Sequence, residues 1–166
     1  MRKFPSIRYP GDGAAGGITA GEVVVTEKLD GANFRFTWDD GLRVGTRNHT
    51  FDADDENLPK AFEHAVEYVQ RQLETASGQF QAAFSSGDWT FFGEAMHRHS
   101  LDYGGIDWHN PNKGSPHVPL DADQPNVVLF DCYDSQHGWL PWDELATIVS
   151  DEPFETSRVI ERGEPD

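Results

Sequence analysis

The sequence predicts an α+β domain built around an antiparallel sheet. Several short segments are rich in β-branched and aromatic residues, and two of them flank a tight Asp-Asp-Gly turn. A single longer segment has helical periodicity. Strands that dominate around an inserted helix are typical of this class. A chain of 166 residues is one domain's worth of material, so we treat residues 1–166 as one unit.

The first predicted elements are a lead-in, a strand and a hairpin. Residues 1–21 are rich in Gly and Pro, which favours irregular structure. The short β-branched segment Val23–Thr26 predicts a buried strand. In Asn33–Trp38 apolar residues alternate with polar ones, and the turn 39–41 separates this segment from Leu42–Arg47. Alternation and the Asp-Gly turn together predict a β-hairpin.

The helix is predicted over residues 56–75. Its apolar positions fall at helical spacing, with Glu and Gln on the other face: Leu58, Phe62, Val66, Val69 and Leu73. Pro59 suits the first turn of a helix. A side chain just before it is expected to cap the helix, from one of Asp54, Asp55 and Asn57.

Three further elements follow. Trp89–Ala95 and Val127–Tyr133 predict two buried strands, and Leu145–Val149, entered through residues 141–143, predicts a short helix. Residues 97–126 hold Gly, Pro, Asn and four His without periodicity. They predict a long irregular loop within the domain, and loops of that length are uncommon unless they are functional or disordered.

The chain is strongly acidic, with 29 Asp and Glu against 13 Lys and Arg and a formal net charge of −16. Such a surface favours a protein that works in concentrated salt, although an ordinary acidic cytosolic protein has the same signature. It argues against an RNA partner, because RNA affinity rests on basic groups. The objection weakens at about 1 M salt, where the Debye length is about 3 Å and binding depends on close contacts.

Cysteine content and hydropathy restrict the compartment. The single Cys132 excludes an intrachain disulfide and cannot alone form a zinc site, so we expect a buried thiol. We find no secretory signal and no apolar stretch of membrane-spanning length. The sequence therefore predicts a cytoplasmic, soluble protein without a membrane partner.

The segment from Glu27 to Phe34 carries the chemistry. It places Lys28 directly after a predicted strand and before a turn at Gly31, where the backbone can approach a ligand closely. A lysine amine attacks phosphorus only when it is unprotonated, and burial or a second nearby cation produces that form. Chance predicts about 0.04 occurrences of Lys-x-Asp-Gly in this composition. From these residues alone, a surface lysine before an Asp-Gly turn remains the alternative.

This segment resembles motif I of the covalent nucleotidyltransferases, which comprise DNA ligases, RNA ligases and mRNA capping enzymes. With Asn33-Phe34 after the glycine it is most similar to the RNA ligase 2 family. Four other segments resemble further motifs of that family in the right order: residues 3–7 the opening, residues 44–48 motif Ia, residues 92–94 motif III and residues 128–131 motif IIIa.

The resemblance implies a role for each matched residue. Lys28 would attack the α-phosphate of ATP and hold AMP as a phosphoramidate. Glu94 would bind the ribose, Phe130 would stack on adenine, and Arg47 would contact phosphate or the RNA end. The remaining expected pocket residues are Glu27, Asp30, Gly31 and Asn33. Without the family, Phe130 fits a core residue, Glu94 an edge carboxylate and Arg47 a solvated side chain.

The sequence also departs from the family. Motif IV, a Glu-Gly pair that supports a divalent metal, and motif V, a Lys-x-Lys, have no counterparts; no lysine follows Lys113, and residues 161–163 match motif IV poorly. The resemblance thus implies an antiparallel-sheet, ATP-grasp-like adenylation domain that is incomplete at its C-terminus. A truncated gene, a split enzyme with a separate polypeptide and a degenerate relative are all compatible with this pattern.

The leading hypothesis is an ATP-dependent RNA ligase that acts on RNA ends with ATP, using Mg²⁺ bound largely through the ATP phosphates. The alternatives are a non-catalytic nucleotide- or RNA-binding remnant, and a DNA ligase or capping-type enzyme. His97 and His99 would be a weak metal site, because no third ligand is positioned. We assign no metal ligands.

Overall fold

The structure, a computed structural model, describes residues 1–6, 13, 21–96, 126–150 and 154–164. These residues form nine strands, in chain order β1 Val23–Thr26, β2 Ala32–Trp38, β3 Leu42–Gly45, β4 Thr50–Asp52, β5 Trp89–Ala95, β6 Val127–Asp134, β7 Gly138–Trp139, β8 Glu155–Thr156 and β9 Val159–Gly163. Three helices accompany them: α1 Lys60–Thr75, α2 Gly78–Ser85 and α3 Trp142–Val149. The predicted loop 97–126 lies outside the described residues except for Asn126, as does most of the lead-in.

Seven strands form one sheet in the order β4-β3-β2-β5-β6-β7, with β8 added parallel to β6. All the other pairs in this sheet are antiparallel. The α+β class predicted from the sequence is therefore confirmed. The strands β5 and β6 and the helix α3 lie where the sequence placed them, whereas α2, β4, β7, β8 and β9 were not predicted.

The hairpin of β2 and β3 is confirmed, with Trp38 opposite Leu42. Its turn uses two left-handed residues, Asp40 (φ 54°) and Gly41 (φ 143°), as an Asp-Gly turn does. The second strand ends at Gly45 rather than at residue 47. The hydroxyl of Thr46 accepts hydrogen bonds from the backbone N–H groups of Asn48 and His49, which turns the chain toward β4.

The start of α1 differs from the prediction in two ways. The helix begins at Lys60, so Pro59 precedes its first turn, and no side chain caps it. The carboxylate of Asp55 instead accepts a hydrogen bond from the backbone N–H of Asn57 at 2.8 Å. Because that carboxylate is used in the preceding turn, the expected side-chain cap is wrong.

The strand β1 is not the buried strand that its β-branched residues suggested. It pairs with β9 in a separate two-stranded sheet, and its side chains are half-buried or exposed. Val25 is 43% exposed. Within the described residues, β1 has β9 as its one partner strand, and a two-stranded ribbon is too small to bury both of its faces. The strand β1 therefore has the composition of a core strand but is not buried like one.

The two faces of the large sheet have different roles, because successive side chains of a strand point to opposite faces. One face packs against the helices, and its core includes Phe34, Phe36, Phe91 and Leu129. Cys132 also belongs to this core; it is fully buried, and burial raises the pKa of its thiol. Residues between these positions, such as Phe92 and Glu94, are absent from the core cluster and lie on the opposite face.

The N-terminal segment 1–6 crosses that opposite face. The buried guanidinium of Arg35 donates to the backbone carbonyl of Arg2 at 2.6 Å, and the N–H of Arg2 donates to Thr90 Oγ1 at 3.3 Å. The ring of Phe4 then packs among three aromatic rings at centroid distances of 5.1–5.4 Å, those of Phe92, Phe130 and Trp139. This segment forms one wall of the site described next. No helix within the described ranges is long and apolar enough to cross a membrane.

Candidate active site

A cavity of about 730 Å³ lies between the two-stranded sheet and the open face of the large sheet. It is lined by residues of the N-terminal segment, β1, β2, β5 and β6, and of the turns between strands. Six of the eight residues predicted for the site line it: Glu27, Lys28, Asn33, Arg47, Glu94 and Phe130. Asp30 and Gly31 are not among its lining residues.

Lys28 follows directly after β1 and lines the cavity. Its side chain is exposed, so burial, one of the two effects expected to favour the unprotonated amine, is absent, and a second nearby cation remains as the other. The side chain is exposed because β1 belongs to the small, half-exposed sheet. The residue before it is fixed, because the N–H of Glu27 donates to the carbonyl of Arg158 at 2.8 Å. Burial raises the pKa of Glu94, and the positive charge of Lys28 partly opposes that rise.

Glu94 lies on β5, opposite Asn33 of β2. Its Oε1 accepts a hydrogen bond from the N–H of Gly31 at 3.2 Å. Burial raises the pKa of Glu94 to about 7, against the opposing effects of that hydrogen bond and of Lys28, while Asp30 adds to the rise. This carboxyl group therefore changes its charge close to neutral pH.

Gly31 makes the approach of these groups possible. A Cβ at this position would lie 2.4 Å from the backbone carbonyl oxygen of Ala95 and 2.9 Å from Cγ of Glu94. No side chain fits there without a shift of the backbone. The glycine therefore acts by bringing the motif I turn against β5, rather than by lining the cavity.

Phe130 lies at an irregularity of the sheet. Gly93 pairs with Leu129 and Phe92 with Asp131, so Phe130 is the extra residue of a bulge in β6. Bulges redirect a side chain relative to the regular strand. The ring is half-buried, lies outside the core cluster and lines the cavity. Phe4 supports it edge-on, with centroids 5.1 Å apart and an interplanar angle of 86°.

Arg47 is exposed in the turn between β3 and β4 and also lines the cavity. Its Nη2 donates to the hydroxyl of Ser6 at 3.4 Å, which ties it to the N-terminal segment. The cavity thus combines two cations, Lys28 and Arg47, with carboxylates and two aromatic rings, those of Phe4 and Phe130. Such a set can bind a phosphate chain at one side and a base at the other.

Several lining residues were not predicted. Phe4, Pro5 and Asp131 lie within segments that resemble family motifs, so that resemblance was an available signal. Burial raises the pKa of Asp131 to about 6, although the backbone N–H of Cys132 donates to it at 2.8 Å. Ser157 has no signal in the sequence, because it lies in a short turn between two strands that were not predicted.

Solved structures of RNA ligases have the same fold. An archaeal ATP-dependent RNA ligase matches 98% of this chain at 17% identity and a TM-score of 0.59. A mutant of the Naegleria gruberi RNA ligase, solved with ATP and Mn, matches 87% at 20% identity and a TM-score of 0.56. The chain spans 38% and 37% of the lengths of these two proteins. At such identities the likeness shows the fold alone.

This chain also matches part of a longer viral protein. Protein Early 65 kDa of Autographa californica nuclear polyhedrosis virus is 27% identical over 158 residues, which cover 92% of this chain and 25% of that protein. The RNA ligase family model, in contrast, matches residues 21–166, which include all the lining residues of the cavity except Phe4 and Pro5. By that match, this chain belongs to the RNA ligase family.

Proposed function

We propose that this chain carries the adenylylation site of an ATP-dependent RNA ligase and that Lys28 takes AMP from ATP. One observation supports this most strongly. Lys28, Glu94 and Phe130 come from three separate strand regions, yet they line the same cavity of about 730 Å³. Each corresponds to a motif residue to which the family resemblance assigns a part of the nucleotide.

In the proposed reaction, Nζ of Lys28 attacks the α-phosphorus of ATP. A nitrogen–phosphorus bond forms, the bond from the α-phosphorus to the bridging oxygen breaks, and pyrophosphate leaves with that oxygen. The amine loses its proton to solvent. The carboxylate of Glu94 accepts hydrogen bonds from the ribose hydroxyls, and Phe130 stacks on adenine. Arg47 contacts the phosphates, where its planar donors match two oxygens.

The divalent metal belongs to the substrate in this proposal. Among the described residues, no group of three or more His, Cys, Asp or Glu side chains is arranged to hold a metal ion. Magnesium commonly binds through substrate phosphates with few protein ligands. The carboxylates of Glu27 and Asp131 line the cavity and are compatible with such a complex. Bound with ATP, the ion would neutralise phosphate charge.

Two properties limit the rate expected of this chain by itself. The sequence has no counterparts of motifs IV and V, and loss of one stabilising donor in other enzymes lowers the rate about 10²–10³-fold. The exposed Lys28 also favours the alternative, a nucleotide-binding remnant without turnover. A separate polypeptide that carries motifs IV and V has no support from the matched RNA ligases. The joining of RNA ends is therefore proposed for the longer enzymes of this family.

Covalent labelling separates these functions. The chain is incubated with ATP labelled at the α-phosphate and a divalent metal, at low and high salt, and then denatured. We expect label on the wild type and on Lys60→Ala, which removes an exposed lysine at the start of α1, but not on Lys28→Ala.

Two results would contradict the proposal. Wild-type protein that binds ATP but stays unlabelled in every condition would make the chain a binding remnant. Label on Lys28→Ala at the wild-type level would show that another residue is the nucleophile.

A further inference from the structure

Ser157 is a buried serine whose hydroxyl has no hydrogen-bond partner in the part of the chain that the structure describes. The residue is only 3% exposed, and its Oγ makes no hydrogen bond to any described residue. It nevertheless lines the 730 Å³ cavity. A second polar atom there, Oδ1 of Asn33, is likewise buried and has no hydrogen-bond partner among residues 1–6, 13, 21–96, 126–150 and 154–164.

The backbone holds Ser157 firmly in this place. Its N–H donates to the carbonyl of Leu129 at 2.8 Å, which extends the parallel pairing of β8 with β6. The carbonyl of the next residue, Arg158, accepts the N–H of Glu27 at 2.8 Å. The turn between β8 and β9 thus connects the large sheet to the strand that precedes Lys28. Ser157 lies in this turn, beside the residue that precedes Phe130.

A buried hydroxyl without a partner is unfavourable, since it has lost its hydrogen bonds to water without replacing them. Buried polar side-chain atoms are usually satisfied, so each exception requires an explanation. A ligand atom that completes the hydrogen bond is one such explanation when the residue lines a cavity. A hydroxyl can both donate and accept, and therefore suits the mixed polar edge of a purine base.

We infer that Ser157 is a specificity-determining residue that hydrogen-bonds to the 6-amino edge of the adenine stacked on Phe130. The inference rests on the proposed function. A base stacked on the ring of Phe130 directs its edge toward the neighbours of that ring. The bond to Leu129 holds the backbone of Ser157 beside the residue before Phe130, and both Ser157 and Phe130 line the cavity. Glu94 and Lys28 are assigned to the ribose and the phosphate.

The test measures the melting temperature of the free chain and its affinity for nucleotides. Ser157→Ala should keep or raise the first and lower the affinity for ATP. Ser157→Ala removes a hydroxyl that bonds to none of the described residues, so the melting temperature of the free chain should stay the same or rise. Ser86→Ala, at an exposed position, is the control for a serine whose hydroxyl has hydrogen-bond partners. Its hydroxyl donates to the carbonyl of Ala83 at 2.8 Å and accepts the N–H of Asp88 at 3.2 Å, after α2. That change should lower the melting temperature and leave nucleotide binding unaltered.

Binding is measured by calorimetry with ATP and with purine riboside triphosphate, which lacks the 6-amino group. We expect the wild type to prefer ATP by about three- to tenfold, as one hydrogen bond allows. Ser157→Ala should bind both nucleotides equally.

The inference fails if Ser157→Ala keeps the wild-type preference, or if it loses stability and weakens both nucleotides alike. Such results leave the proposed function intact. A wild-type chain that binds neither nucleotide overturns the proposed function itself.

Discussion

Replacement of Glu94 by Gln tests the electrostatics of the cavity. Gln has the same shape and retains an oxygen that can accept the N–H of Gly31, but it carries no charge at any pH. In the wild type, burial raises the pKa of Glu94 from 4.5 to about 7. The substitution should therefore stabilise the free chain at high pH while it weakens ATP binding.

The sign follows from linkage. Because the folded state holds the proton more tightly than the unfolded state, Glu94 contributes stability below its ordinary pKa and loses it as pH rises through about 7. A rise of this size corresponds to at most about 3.4 kcal/mol, because each tenfold change in acid strength is worth about 1.36 kcal/mol. The side chain is only partly buried, and solvent screening reduces the expected effect to about 1–2 kcal/mol.

The assay is urea unfolding at pH 5 and at pH 8. The advantage of Glu94→Gln over the wild type should grow by about 1–2 kcal/mol between these pH values. Asp131 titrates in part of the same window, so the difference between the two proteins is the informative quantity. Glu56→Gln, at an exposed position before α1, controls for the removal of one negative charge from an acidic chain. An advantage that is equal at both pH values would refute the reasoning.

Three further substitutions test the geometry of the site. Gly31→Ala places a Cβ 2.4 Å from the carbonyl oxygen of Ala95 and should lower the free energy of unfolding by about 1–3 kcal/mol; an unchanged urea midpoint would contradict the close approach. Phe130→Ala should weaken ATP binding by about 1–3 kcal/mol in calorimetry, whereas Phe130→Tyr retains it, because base stacking needs only a ring. Arg47→Lys should slow covalent labelling about tenfold through loss of the two-pronged donor, and an unchanged rate would remove Arg47 from the phosphate site.

Those elements of the fold could be predicted whose residue pattern is compatible with a single local structure. The Asp-Gly turn between alternating strands specified the hairpin, and helical spacing over sixteen residues specified α1. The two-residue strands β7 and β8 carry no period that could be recognised. The pairing of β1 with β9 is a tertiary property, because a β-branched segment has the same sequence pattern in the middle of a large sheet as in a ribbon.

The site could be predicted only through the family resemblance, and only in part. Motif residues from distant segments line one cavity, although their individual roles remain proposals. The exposure of Lys28 was missed, because burial depends on the sheet to which β1 belongs. Ser157 was missed, since nothing in an isolated Thr-Ser-Arg segment indicates that the residue is buried and lines the same cavity as Phe130.

The buried position of Cys132 makes its thiol a probe of local unfolding of the core. The only thiol of the sequence lies on β6 of the large sheet, where it is buried in the core between this sheet and the helices. A maleimide in solution can reach it only in molecules whose sheet has separated from those helices. The rate of maleimide addition, followed by the increase of the intact mass by one adduct, therefore measures how often the sheet separates from the helices. A nucleotide bound between the two sheets should lower this rate.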